Sequence, residues 1–318
     1  MRTFSGGKSK PRNLAVHPLT GHIAASGDRA SGWGPGVLNA LATVSLDRTS
    51  IMPRNSWAFL DQTNILFRSN DRGRAGLMSL GSLEILDPKN LFPDLDSQAA
   101  IHFDLSRDRT QLVAIRKGNR AAQIHRKSGD QWRLKAKIPF PRVNGAPPLV
   151  LRLAPDGNTF VGGSRSSSRI FPIDGQYREI RHDHQRGLLA DVLWLDQGRA
   201  LLGAHFGSDL SWGRVDSIEF LRRWNPVTGM PTMTRSNATV IQALALEPEE
   251  SRFAEAGHGY DIRIRSVADL SVIRKFRAHD APIVALAWHP KLPILASASL
   301  DRAIRFWNVD SGALVDEL

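Results

Sequence analysis

The chain has 318 residues, with 42 Lys and Arg against 31 Asp and Glu, a formal net charge of +11 and no cysteine. The missing cysteine excludes disulfides and thiolate chemistry, and no apolar run is long enough to read as a membrane-spanning helix. Short apolar runs punctuated by 26 Gly and 18 Pro point to many short strands and turns rather than to helices.

Taken in chain order, one phrase keeps returning: a short apolar strand closed by a polar or proline turn. It opens at residues 12–18 (RNLAVHP) and recurs at 56–61, 100–106, 149–156, 189–196, 241–248 and 283–290. The last two copies, IQALALEP and IVALAWHP, match at an offset of 42 residues. A second strand follows each phrase, at 23–26, 65–68, 112–115, 159–162, 200–204, 253–256 and 294–298. Third strands are expected at 37–45, 76–80, 121–125, 168–173, 218–224, 262–267 and 304–309. The outer strand of each module is more polar; 271–276 is the clearest, and both 1–4 and 313–318 read as outer-strand material. One such module cannot bury its apolar faces alone and needs neighbours arranged around an axis.

Residues 279–309 carry the fullest copy: His279 before a strand, a Trp288-His289-Pro290 turn, Ser297 in the second strand, Asp301 in the turn and Trp307-Asn308 at the end. This segment resembles the WD40 family. The resemblance implies an all-β fold, a seven-bladed WD40-like β-propeller, with residues 1–318 as a single domain. It also implies a structural hydrogen-bond network of His279, Ser297, Asp301 and Trp307, and a docking platform rather than an enzyme. The network is complete only in the last blade. The sixth has Glu255, Gly259 and Arg265 near the Ser, Asp and Trp positions. The third and fourth have His125 and Phe171 near the Trp register, and the first keeps Ser26 and Asp28 but lacks the Trp. Trp57, Trp194, Trp288, Phe103 and Leu153 read as packing residues within and between blades.

Two loops break the regular spacing, 27–36 (GDRASGWGPG) and 206–216 (FGSDLSWGRVD). Both are expected between second and third strands, and family resemblance puts such loops on the docking face. Trp and Arg are common interface anchors. Arg29, Trp33, Asp209, Trp212 and Arg214 are therefore the candidate partner-binding residues.

Charge is concentrated between Arg107 and Lys137, where ten basic residues face two acidic ones. Arg107, Arg109, Arg116, Lys117, Arg120, Arg126 and Lys127 make a candidate patch for an acidic protein partner or nucleic-acid phosphates. The competing reading is a solvated, arginine-rich edge. Only Trp132 is aromatic there, whereas single-strand binders offer several stacking side chains.

No catalytic motif is visible: no Gly-x-Ser-x-Gly elbow, phosphate loop, dinucleotide fingerprint or His-Glu-x-x-His. His182 and His184 are the only tight histidine pair, and further ligands are not evident, so neither metal nor cofactor is expected. Asp61, Asp104 and Asp196 are expected to cap the ends of first strands. The reading is a non-catalytic interaction scaffold or recognition subunit. The alternatives are a nucleic-acid-associated module using the basic patch, or an enzyme or ligand binder with a central-channel site. The first residues lack the apolar core of a signal peptide; cytoplasm is the default expectation, with the nucleus also open.

Overall fold

The computed structural model describes residues 13–16, 23–26, 30–33, 40–44, 57–61, 64–68, 75–79, 85–94, 101–116, 121–140, 150–163, 168–175, 177–180, 187–208, 217–237 and 239–317. These residues form an all-β fold of repeated four-stranded sheets. The first sheet runs β1 (Asn13–Val16), β2 (Ile23–Ser26), β3 (Ala30–Trp33) and β4 (Ala40–Val44). The second runs β5 (Trp57–Phe59), β6 (Asn64–Arg68), β7 (Ala75–Ser79) and β8 (Ile85–Leu86). The third has β9 (Ile101–Leu105), β10 (Gln111–Arg116), β11 (Ala121–Ser128) and β12 (Gln131–Pro139). The fourth has β13 (Val150–Leu153), β14 (Thr159–Gly163), β15 (Ser168–Pro172) and β16 (Arg178–Glu179). The fifth has β17 (Gly187–Leu195), β18 (Ala200–Ser208), β19 (Ser217–Trp224) and β20 (Pro231–Asn237). The sixth has β21 (Ile241–Leu246), β22 (Arg252–Gly257), β23 (Asp261–Ser266) and β24 (Val272–Arg277). The seventh has β25 (Ile283–Trp288), β26 (Ile294–Ser299), β27 (Ile304–Asn308) and β28 (Leu314–Glu317). Within every sheet the strands lie side by side in chain order.

The chain packs as two compact units. One comprises Met1–Thr49, Ser217–Leu221 and Arg235–Leu318; the other comprises Ser50–Asp216 and Arg222–Thr234. In the first unit, the sixth and seventh sheets share one core. Ala243, Ala254, Ile262 and Ile264 pack with Trp288, Leu295 and Trp307. Burying each large apolar side chain stabilises the fold by roughly 1.5–3 kcal/mol. A second cluster joins Leu14 of the first sheet to Ala296, Ala298, Ile304 and Phe306 of the seventh. In the other unit, Phe103, Leu112 and Trp132 of the third sheet pack with Leu60, Leu66 and Leu77 of the second.

One device joins neighbouring sheets in both units. The Trp288 Nε1–H donates to the Ala245 carbonyl at 2.8 Å, from β25 to β21. The Trp194 Nε1–H donates to the Arg152 carbonyl at 3.1 Å, from β17 to β13. Each buried indole thus finds the acceptor it requires. Trp194, Trp288, Phe103 and Leu153 are all buried, as their alternation predicts; the side chain of Trp57 lies outside the described residues.

The turns after first strands place a residue in the left-handed region, at Arg109, Gly157, Gln197 and Glu250. At Gly157 (φ 69°) a Cβ would also lie 2.2 Å from Gln111 Nε2, so a side chain there would have to displace the Gln111 amide. Gly257 is constrained by backbone: a Cβ would lie 1.9 Å from the Val240 carbonyl oxygen.

Three expectations need correction. The third strand of the first sheet is β3, and the stretch 37–45 holds its fourth strand, β4. The loop expected at 27–36 is therefore interrupted by pairing. Asp104 does not cap a strand end; it lies inside β9, opposite Val113. Of the two terminal segments, 313–318 contains β28, which completes its own sheet, while residues 1–4 lie outside the described residues.

Candidate functional site

The sixth and seventh sheets build a face at the ends where their second strands turn into their third. Arg277, the last residue of β24, pairs with Asp261 at the start of β23. The chain then crosses to the seventh sheet through 278–282. On the way the Ala278 and His279 N–H groups both donate to the Tyr260 carbonyl, at 3.0 and 3.1 Å. The Leu300 N–H donates to the Pro282 carbonyl at 3.0 Å, and the Asp280 N–H to Asp301 Oδ2 at 3.2 Å. Both turns and the connection are thus tied into one surface by hydrogen bonds from backbone N–H groups to carbonyls and to the Asp301 carboxylate.

Beneath that surface lies the His279 network. His279 Nδ1 is 2.8 Å from Asp301 Oδ2 and its Nε2 is 2.7 Å from Ser297 Oγ. With Nδ1–H donating to the carboxylate, the neutral ring accepts the Ser297 hydroxyl proton at Nε2. Ser297 Oγ in turn accepts the Trp307 Nε1–H at 2.9 Å. Burial holds the His279 imidazole below its ordinary pKa, against the pull of Asp301. Burial would raise the Asp301 carboxyl, but the Ala303 N–H and His279 hold it below its ordinary value. The Ser297 and His279 side chains are inaccessible (0% and 1% exposed), so this arrangement orders a turn and offers no open site for catalysis.

The sixth sheet fills the same positions differently. Glu255 pairs with Arg263 across the strands as Ser297 pairs with Arg305, and Arg265 takes the register of Trp307. Fully buried Glu255 lies 3.0 Å from Arg265 Nη2 and 3.7 Å from Arg263 Nη1. A buried ion pair replaces the neutral triad.

What this face exposes is His258, Arg277, Asp280 and Arg302, around half-buried Tyr260. The Arg277 guanidinium stands 5.6 Å from the Tyr260 ring centroid and 3.2 Å from Asp280. Exposed charge around an aromatic on fixed backbone can desolvate against a partner with little ordering penalty. Tyr260, Arg277 and Arg302 are not among the residues that the sequence motifs single out. Their signal was the offset of 42 that makes Tyr260 the counterpart of Arg302, both at positive φ.

Of the expected partner-binding residues, Arg29, Asp209, Trp212 and Arg214 lie outside the described residues. Arg29 falls between β2 and β3, and the other three between β18 and β19. Trp33 is not in such a connection. It ends β3 opposite Ile23, and the register slips between Gly32 and Trp33. The same slip precedes Trp307, Arg265 and His125. Trp33 thus occupies the Trp register that the first sheet was expected to lack.

The basic segment divides. Arg126 pairs with Gln111 beside the turn that holds Arg107, whereas Arg116 pairs with Ile101 at the other end of the sheet. Lys117 and Arg120 follow Arg116 and lie outside the described residues. Arg109 turns partly inward: its Nε and Nη1 are buried, burial draws its pKa down to about 10, and Asp61 and Asp104 oppose that shift. Asp104 accepts the Leu153 N–H at 2.7 Å from the next sheet. Its carboxyl is pushed up to about 6 by burial, with Arg152 opposing. Arg152 is bonded onward to Asp191 at 3.0 Å. This chain of charges ties together the first strands of the third, fourth and fifth sheets.

Among the described residues no group of three or more His, Cys, Asp or Glu is placed to hold a metal. The pair His182 and His184 lies outside them. No helix among them is long and apolar enough to cross a membrane.

Residues 270–308, from β24 through β27, match the family described as WD domain, G-beta repeat. This segment is a WD40 repeat. The chain is 37% identical over 59 residues to mouse WD repeat and HMG-box DNA-binding protein 1, covering 19% of this chain and 5% of that protein. It is 24% identical over 181 residues to the Periodic tryptophan protein 2 homolog of Dictyostelium discoideum, covering 56% of this chain and 19% of that one. Over 174 residues it is 24% identical to rat Telomerase protein component 1, covering 52% and 6%. These WD40 similarities thus span less than a fifth of each relative's own length.

Proposed function

We propose that this WD40 chain is a non-catalytic scaffold that docks a protein partner on the face built by the second-to-third-strand connections. The observation that carries it is the tied surface of the sixth and seventh sheets, which holds Tyr260, Arg277, Asp280 and Arg302 through hydrogen bonds of the backbone N–H groups to carbonyls and to Asp301. Arg29 and Trp33 of the first sheet and Asp209, Trp212 and Arg214 of the fifth are further proposed partner contacts. The proposal includes closure of the seven sheets into one propeller domain. Packing of Leu14 from the first sheet on Phe306 and Ala298 of the seventh supports closure.

Site-specific photocrosslinking tests the docking face. A benzophenone residue placed at Arg302 should capture a stoichiometric protein partner from nuclease-treated source lysate. The same residue placed at Val272, on the outer strand of the sixth sheet, should not. Equal capture at both positions, or none at Arg302, contradicts the proposal.

A further inference from the structure

The outer strands of the sixth and seventh sheets repeat one pattern with its charge reversed. At the offset of 42 residues, β24 reads Val272-Ile273-Arg274-Lys275 and β28 reads Leu314-Val315-Asp316-Glu317. Each strand is the edge of its sheet. The pairing is also the same. Arg274 lies opposite Ile264 as Asp316 lies opposite Phe306, and Val272 lies opposite Arg265 as Leu314 lies opposite Trp307. Ile273 and Val315 are the extra residues at the two slips. Such a slip twists an edge away from backbone pairing, so what the two strands offer a neighbour is side chains.

Those side chains combine exposed apolar surface with opposite charge. Among the described residues eight large hydrophobic side chains are exposed, and Val272, Ile273, Leu314 and Val315 are four of them, so half of this surface sits on two strands. Apolar residues scattered singly are ordinary, whereas a cluster marks a contact. The two strands adjoin. Arg274 Nη1 donates at 3.2 Å to the carbonyl of Ser311, in the turn that leads into β28, and Phe276 lies 5.2 Å from Trp307. Arg274, Lys275 and Glu317 are exposed and Asp316 is half-buried. Lys275 pairs with Asp261 and Glu317 with Arg305, each keeping about half of its side chain in solvent. Arg274 and Asp316 have no ion pair among the described residues.

We propose that these two strands bind a second copy of this chain across a two-fold axis that runs along them. Both strands run toward the end of the sheets that carries Tyr260 and Arg302, since Arg277 lies opposite Asp261 and Glu317 opposite Arg305. The axis therefore sets β24 of each copy beside β28 of the other, in the same direction and at the same level. Val272 and Ile273 meet Leu314 and Val315, and Arg274 and Lys275 meet Asp316 and Glu317. Each contact is made twice, as in any isologous interface. Pairing like strands instead would set like charges together, which selects this arrangement. The interface lies on outer strands and stands independently of the loop face; a crosslink from Val272 to a second copy of this chain belongs to it.

The test is sedimentation of the full chain over a concentration series. The wild type should show a monomer–dimer equilibrium that raised salt weakens. Arg274→Glu/Lys275→Glu makes both strands acidic and Asp316→Lys/Glu317→Lys makes both basic. Each variant alone should dimerise at least about a hundredfold less tightly. An equimolar mixture of the two should recover a dimer with one copy of each, because every basic strand then meets an acidic one. Ile273→Ser/Val315→Ser changes no charge and should weaken the dimer at least about tenfold. Far-UV circular dichroism checks that each variant is folded. A wild type that stays monomeric or grows beyond a dimer, self-association surviving in either charge-reversed variant, or a monomeric mixture of folded variants overturns the proposal.

Discussion

The sixth and seventh sheets solve one problem in two ways. Both bury a polar side chain in the second strand, at Glu255 and Ser297, and both face it with a residue two positions along from its cross-strand partner, at Arg265 and Trp307. In the seventh sheet the buried members Ser297, His279 and Trp307 are neutral, and the carboxylate that orients His279, Asp301, is partly exposed. In the sixth a carboxylate and two guanidiniums are desolvated together. The backbone register is the same, including the slip before Arg265 and Trp307. The repeat therefore preserves a position and a geometry rather than a chemistry, and it survives wherever the replacement pair is mutually satisfied.

The largest expected effect breaks the charged version. Glu255→Ala leaves Arg265 and Arg263 with uncompensated buried charge and should cost about 3–5 kcal/mol in denaturant unfolding. The double variant Glu255→Leu/Arg265→Leu should recover most of that loss, since an apolar replacement of both partners removes the desolvation penalty. A double variant no better than the single would show that the pair is not the unit.

The third sheet sharpens the comparison through acid. His125 occupies the Trp register, lies against Phe92 at 6.0 Å and is fully buried with neither ring nitrogen hydrogen-bonded. Burial holds its imidazole down to about 4, against 6.5 normally, with Asp94 opposing. Above pH 6.5 the ring is neutral folded or unfolded. As pH falls from there toward about 4, the unfolded chain takes the proton first, so stability drains away across that window. The loss should reach at most ~3 kcal/mol. His125→Phe should flatten this part of the stability profile, and an unchanged profile would refute the assignment.

The neutral version should be gentler to break. Ser297→Ala strips a partner from both His279 Nε2 and Trp307 Nε1, an expected loss of about 2 kcal/mol. The smallest effect belongs to Trp288→Phe, which keeps most of the ring but leaves the Ala245 carbonyl without its donor, at about 1 kcal/mol. Thermal melts of the two variants side by side should preserve that order.

The strand phrases were legible because each alternates apolar and polar residues at the strand period and ends in a recognisable turn. His279, Ser297, Asp301 and Trp307 were legible because the last repeat is complete. Trp33 was not: its Gly-rich surroundings read as a loop, and only backbone pairing with Ile23 reveals the strand. Arg109 sat within a basic run, but a left-handed turn position carries its guanidinium inward toward Asp61 and Asp104. Arg116 and Arg126 are close in sequence and at opposite ends of a sheet because β10 and β11 run antiparallel. Composition carries no information of that kind.

The account rests on a rigid face across the sixth and seventh sheets, and amide hydrogen exchange measures it. The Ala278, His279, Asp280 and Leu300 amides, although they lie in connections, should exchange as slowly as those of β25 and β26, because opening them requires opening both sheets. Fast exchange at these four amides, with the strands still protected, would mean that the face is a set of independent loops and would contradict a preformed docking platform.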